Sequence, residues 1–254
     1  MGERVWGQPV VVIWYHVRMS IERHLVLQGI VGSTAYGLAH EGSDVDRLGV
    51  FQFPTVHILG RLGKGECSED TLVEADPLPD RQIHEVAKYM RLASVANPTA
   101  LELLWLDTYE VIEGAGHILV ANRDLFLSQR VRGTYIGYAK AQASRLMKRQ
   151  AAGHKGFMSK KSTEKHGRHC ARLLYQGHDL LATGNLTVKL TEEQATKVRH
   201  IGLLAEENPG AFLAVMDSMV EAMNEVESVL PEEPDTDAIS ALLVRIRLGH
   251  DVGS

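Results

Sequence analysis

Cysteine is almost missing from this 254-residue chain: it has two, Cys67 and Cys170, with no Cys-x-x-Cys pair and no finger spacing of Cys and His. That excludes a secreted disulfide scaffold and fits a reducing compartment, so a cytoplasmic protein is expected. Long apolar runs are missing too. The longest, Val10 to Tyr15, falls far short of the roughly 20 residues that a membrane-crossing helix needs. It also lacks the apolar core and small-residue cleavage pattern of a signal peptide. No membrane role is expected, and there is no internal repeat or low-complexity stretch.

What is present suits a folded core: 44% of residues are hydrophobic and 23% charged, enough for one large or two modest domains at about 150 residues each. The net charge of −5 hides a segregation. Between Lys140 and Arg172 stand ten Lys and Arg against one acid, Glu164, whereas Glu206 to Asp237 holds ten acids and no Lys or Arg. Such asymmetry suggests a surface that faces a polyanion, although a basic stretch is equally often a solvated helix face.

The pattern changes once along the chain. "LVLQGIV" (25–31) reads as a buried strand bounded by Gly32, residues 33–39 as a helical turn or two, and 45–53 as a strand ended by Pro54. Residues 54–79 read as a hairpin or loop, and Asp80–His84 as a further strand. From there the periodicity is helical. Asn97-Pro98 begins one helix, residues 128–150 and 163–183 form two long ones, and Gly184 closes the second. Thr191 to Gln194 fits a capping box, and two more helices flank "PEEPD". The expectation is an α+β protein, with a catalytic part over 1–110 and a helical part over 111–254. Residues 1–18 carry none of the chemistry below and read as a non-essential extension, with Met19 an alternative start.

The chemistry concentrates in "GSTAYGLAHEGSDVDRLGVF" (32–51). Asp44 and Asp46, two apart on a strand, project from one face. Like charges held that close repel unless a cation intervenes. An all-oxygen donor set suits Mg²⁺, which completes its shell with water and substrate phosphates. The preceding Gly32-Ser33 turn supplies the phosphate side, because glycine permits close backbone approach and the serine hydroxyl donates. Two metal ions on such acids can stabilise the attacking and leaving oxygens of phosphoryl chemistry together.

These residues resemble the signature of the DNA polymerase β-type nucleotidyltransferase superfamily, and more narrowly its RNA-repair-associated members in bacteria and phages. The GSxxYG…SDxDxxGV pattern falls on Gly32, Ser33, Tyr36, Gly37, Ser43, Asp44, Asp46, Gly49 and Val50. The stretches "IHEVAKYMRLASVANPTALELLW" and "EKHGRHCARLLYQGHDLLATGNLTV" are similar to that family as well. The resemblance implies a mixed-sheet core that transfers a nucleoside monophosphate with two Mg²⁺ ions, or Mn²⁺ as a substitute. It also implies a third carboxylate on a neighbouring strand. Asp80 is the choice, with Glu74, Asp76 and Glu85 as rivals; its implied role is to complete the metal site and take the proton of the attacking hydroxyl.

In the helical half, Lys165, His169 and Arg172 share a helix face at spacings of four and three, suited to a triphosphate or an acceptor backbone. His166 and His169 have no third partner to make a metal site. Tyr135 and Tyr138 offer stacking surfaces, with core packing the commoner use; Trp105 and the Met216, Met219, Val220, Met223 face read as core. The expected partners are an NTP and an RNA 3′ end, the latter through 140–172. Other acceptors, a protein side chain or a small molecule, and a non-catalytic nucleotide- or RNA-binding module stay open. Nothing in the sequence sets the nucleotide or the oligomeric state.

Overall fold

The computed structural model describes residues 24–55, 58, 71–74, 80–151 and 160–250. Val10–Tyr15, Met19, the 59–70 part of the expected hairpin, Cys67, Asp76 and the basic loop 152–159 lie outside them.

Five strands form one mixed sheet: β1 (Leu25–Val31), β2 (Asp46–Phe51), β3 (Thr71–Glu74), β4 (Arg81–Glu85) and β5 (Val111–Ile112), in the order β3-β4-β2-β1-β5. β2 runs antiparallel to β1 and parallel to β4, which places Arg47 opposite Arg81. β1 and β2 turn Leu27, Leu48, Val50 and Phe51 inward, at 0–2% exposure. Ten helical segments complete the described α+β fold. α1 (Gly32–Ala35) follows β1 directly; α2 (Val86–Ser94) and α3 (Pro98–Leu104) pack on the sheet; α4 (Ala115–Ala121) and a 3₁₀ turn (Arg123–Phe126) lead to the long pair α5 (Arg130–Ala151) and α6 (Lys160–Thr183). α7 (Glu192–Glu207), α8 (Pro209–Glu225) and α9 (Thr236–His250) follow.

Local chemistry sets the helix ends. Asn97 accepts from the Ala100 amide with Pro98 in the first turn, and Thr191 and Gln194 close a reciprocal capping box. Gly184, at φ +73°, ends α6 in the left-handed conformation that glycine tolerates. One continuous buried cluster then runs from Val26 on β1 to Ile246 on α9 and includes Tyr135, Trp105, Met216, Val220 and Met223. Tyr138 is exposed and its hydroxyl accepts from Asn97.

α9 reaches back to the far ends of β2 and β4. Arg247 pairs with Glu85 at 2.6 Å and donates to the Phe53 carbonyl, while Gln52 and Thr55 donate to the carbonyls of Ile246 and Arg247.

One expectation needs correcting here. β2 begins at Asp46, so Asp44 lies in the loop before it. The β1–β2 ladder ends at the Val31–Asp46 pair, which leaves Asp44 without a strand partner. The two acids are neighbours through the loop, not through the pleat of one strand.

Candidate active site

Where β1 gives way to α1, the chain turns at Gly32 with φ +69°, a conformation that costs a side-chain-bearing residue about 1–2 kcal/mol. A Cβ at Gly32 would sit 2.2 Å from Oδ2 of Asp46. Only glycine lets that carboxylate lie against the turn. The turn is held by its own backbone: the amide of Tyr36 donates to the Gly32 carbonyl and that of Leu38 to Ser33. Ser43 is fixed a few residues on, its hydroxyl accepting from the His40 amide.

These groups line one cleft of about 540 Å³. Gly32, Ser33, Tyr36, Ser43, Asp44, Asp46 and Asp80 border it from the sheet side, and Lys165, Arg168, His169 and Arg172 from α6. Gly37 does not line it; at φ +72° it serves the turn, and its carbonyl accepts from Arg199.

Asp80 arrives through the parallel β2–β4 register. The Arg47 amide donates to the Asp80 carbonyl at 2.8 Å, which sets Asp80 beside Asp46 across the ladder. The Asp46 carboxyl is pushed above the ordinary carboxylate range by burial and by the charges of Asp80 and Asp44, against the pull of Lys165. A cation among these oxygens would relieve that repulsion, so the donor set fits Mg²⁺. Among the described residues, however, no three His, Cys, Asp or Glu side chains already stand as a finished metal cage. Of the rivals to Asp80, Asp76 lies outside the described residues. Glu85 is buried, accepts from the Ala87 amide and pairs with Arg247; Glu74 is on β3, with its backbone opposite Arg81.

α6 presents Lys165, Arg168, His169 and Arg172 along one face. Arg168 is an addition to the sequence reading; it lines the cleft and lies 3.6 Å from Glu164. Arg172 departs from its expected role. Its side chain is 2% exposed and bonded inward to Glu102 and Gln176, so it is not a free grip for phosphate. Its charge is likewise withdrawn from the basic surface expected over 140–172. Glu102, hidden in an apolar helix that reads as core, had no sequence signal beyond being the lone acid in "PTALELLWL".

A small mixed sheet with a Gly-Ser turn against paired aspartates is the architecture of a polymerase β-like nucleotidyltransferase. A model of the RlaP family, described as the RNA repair pathway DNA polymerase beta family, matches residues 15–237, and the chain belongs to that family. Among curated proteins no match is found. No described helix is long and apolar enough to cross a membrane.

Proposed function

We propose that the protein is a Mg²⁺-dependent nucleotidyltransferase that moves a nucleoside monophosphate from an NTP to the 3′-hydroxyl of an RNA. The observation that carries this reading is the contact of Gly32 with Asp46. It places a carboxylate against a turn that must be glycine, with Asp44 and Asp80 beside it and Lys165 and Arg168 across the cleft.

Asp44, Asp46 and Asp80 would hold the metal, which when bound neutralises phosphate charge and activates the α-phosphoryl group. The Gly32-Ser33 turn binds phosphate oxygens, with Lys165 and Arg168 facing the triphosphate charge. Asp80, the exposed acid at the start of β4, takes the proton of the attacking hydroxyl. The 3′-oxygen bonds to the α-phosphorus, the bond to the β-phosphate bridge breaks, and pyrophosphate leaves. The family's place in RNA repair and the basic α5–α6 region support RNA as the acceptor.

Each α-³²P-labelled NTP, incubated with protein, Mg²⁺ and total RNA, tests this beside an Asp44→Ala/Asp46→Ala control. Label in RNA that the control lacks is the expected result. Label in protein instead would move the acceptor to a side chain. No label in either, with NTP bound, would favour a binding module.

A further inference from the structure

Beneath the cleft lies a charged network that the transfer step itself does not use. Glu102 of α3, 1% exposed, accepts from the Tyr36 hydroxyl at 2.6 Å on one carboxylate oxygen and from Arg172 on the other. The Arg172 guanidinium lies 3.7 Å over the Tyr36 ring. Gln176 accepts from Arg172 and donates to the carbonyls of Thr187 and Val188. The turn after β1, α3, α6 and the segment before α7 therefore meet at one ion pair.

The same guanidinium reaches His169: Arg172 Nη2 stands 3.1 Å from His169 Nδ1. A guanidinium can only donate, so Nδ1 accepts and the imidazole proton resides on Nε2. A doubly protonated ring has no lone pair for this bond, so the contact also keeps the ring neutral. Lys165, His166 and Arg172 on its own helix surround His169, with Glu102 of α3 and Tyr36 beyond Arg172. Burial, and then the neighbouring Arg172, His166 and Lys165, pull its pKa down to about 3. His169 nonetheless borders the cleft.

We propose that Glu102 and Arg172 are positioning residues: their buried pair fixes His169 as an uncharged Nε2–H donor to an oxygen of the bound nucleoside triphosphate, and clamps the Gly32–Tyr36 turn to α6. The assignment rests on the nucleotide-transfer reading above and sharpens it. It divides α6 into two charged groups, Lys165 and Arg168, and one neutral donor whose state does not change through the physiological pH range. It also makes Tyr36 a strut of the turn, its hydroxyl engaged by Glu102.

The test is ¹⁵N-histidine NMR of the whole protein from pH 5 to 8, with titrations of MgATP, MgCTP, MgGTP and MgUTP at both ends of the range. In the wild type, His169 is expected to stay neutral and Nε2-protonated throughout, with NTP affinity unaffected by its titration. The variant Glu102→Gln/Arg172→Met removes both charges at once and leaves no buried charge unpaired. There Nδ1 has lost its donor, so the ring is expected to divide between the Nε2–H and Nδ1–H tautomers, and NTP affinity to fall at least about fivefold at both pH values. A wild-type His169 that titrates near 6.5, or carries its proton on Nδ1, overturns the positioning role, and this spectrum decides even if the double variant does not fold. A folded double variant in which His169 keeps the Nε2–H tautomer as fully as the wild type overturns it as well. Failure of the wild type to bind any of the four NTPs would sink the nucleotide-transfer reading instead, and is distinguishable from both.

Discussion

Asp46 lines the cleft, Glu102 lies beneath it against Tyr36 and Arg172, and the two carboxylates are treated in opposite ways. Glu102 is fully buried, yet it has a guanidinium on one oxygen and a tyrosine hydroxyl on the other. Asp46 is half-buried among two like charges, which among the described residues the exposed Lys165 offsets in part. A buried carboxylate survives folding only if its partners come with the fold. A carboxylate left under repulsion signals that its compensation comes from elsewhere, here from a ligand. Charge completed internally marks scaffold, and charge left incomplete marks the reaction site.

The sharpest way to break this contrast is to spoil the completed pair. Arg172→Met leaves the Glu102 charge without its guanidinium, with the Tyr36 hydroxyl still on one oxygen, and is expected to cost about 3–5 kcal/mol, a fall in Tm of about 6–20 °C for a chain of this size. Adding Glu102→Gln should restore most of it, and thermal unfolding of the three proteins reads the difference. Asp46→Asn should behave in reverse. Transfer is expected to drop at least about 100-fold, since even a ligand's supporting partners are worth 10–100-fold, while Tm holds or rises as the repulsion from Asp80 and Asp44 disappears. An Asp46→Asn protein that unfolds would erase the distinction between the two carboxylates.

Acid probes the buried side of the comparison. Burial with the Arg172 charge takes His169 down to about 3, and burial with the Lys88 charge takes His84 down to about 4. Both stand below the ordinary value near 6.5, so between those limits the unfolded chain binds protons that the folded one refuses. Their contribution is complete above pH 6.5 and is lost as pH falls, at up to about 1.4 kcal/mol per pH unit for each histidine. Urea midpoints at pH 7 and pH 5 should therefore differ, the acid one lower; equal midpoints would contradict the assignment. Gly32→Ala is a gentler test of the open side. The strained turn is expected to lose about 1–2 kcal/mol, and the displaced Asp46 carboxylate to lower kcat/KM about tenfold, equivalent to roughly 1.4 kcal/mol. Smallest is Thr191→Ala, at the cap of α7 and outside the cleft lining: about 1 kcal/mol of stability from the lost cap, with transfer unchanged.

Much of this was legible in the chain itself. An apolar run with its glycine stop reads as β1, and caps at Asn97 and Thr191 announce their helices, because those signals are local. The Gly-Ser turn, the acid pair and Asp80 at the head of β4 were legible too, since each sits at a strand end that the sequence marks. What escaped was settled by distant partners. Glu102 and Arg172 stand 70 residues apart, and nothing near either says that their charges cancel. Glu85 looks as available as Asp80 until Arg247 is folded onto it. The start of β2 slipped because it depends on where its neighbour β1 stops. Val111–Ile112, too short to show an alternation, becomes a strand only because β1 has a free edge.

The clamp of Arg247 on Glu85 and Phe53 also sets a schedule. During synthesis β2 and β4 leave the ribosome early, but the groups that cover Gln52, Thr55 and Glu85 belong to the last described helix, beyond the residue at which the family match ends. Until residue 247 has emerged, Gln52, Thr55 and Glu85 lack the groups that they meet in the folded chain. A chain cut before α9 would leave Gln52, Thr55 and Glu85 without these partners, at the end of the sheet away from the cleft.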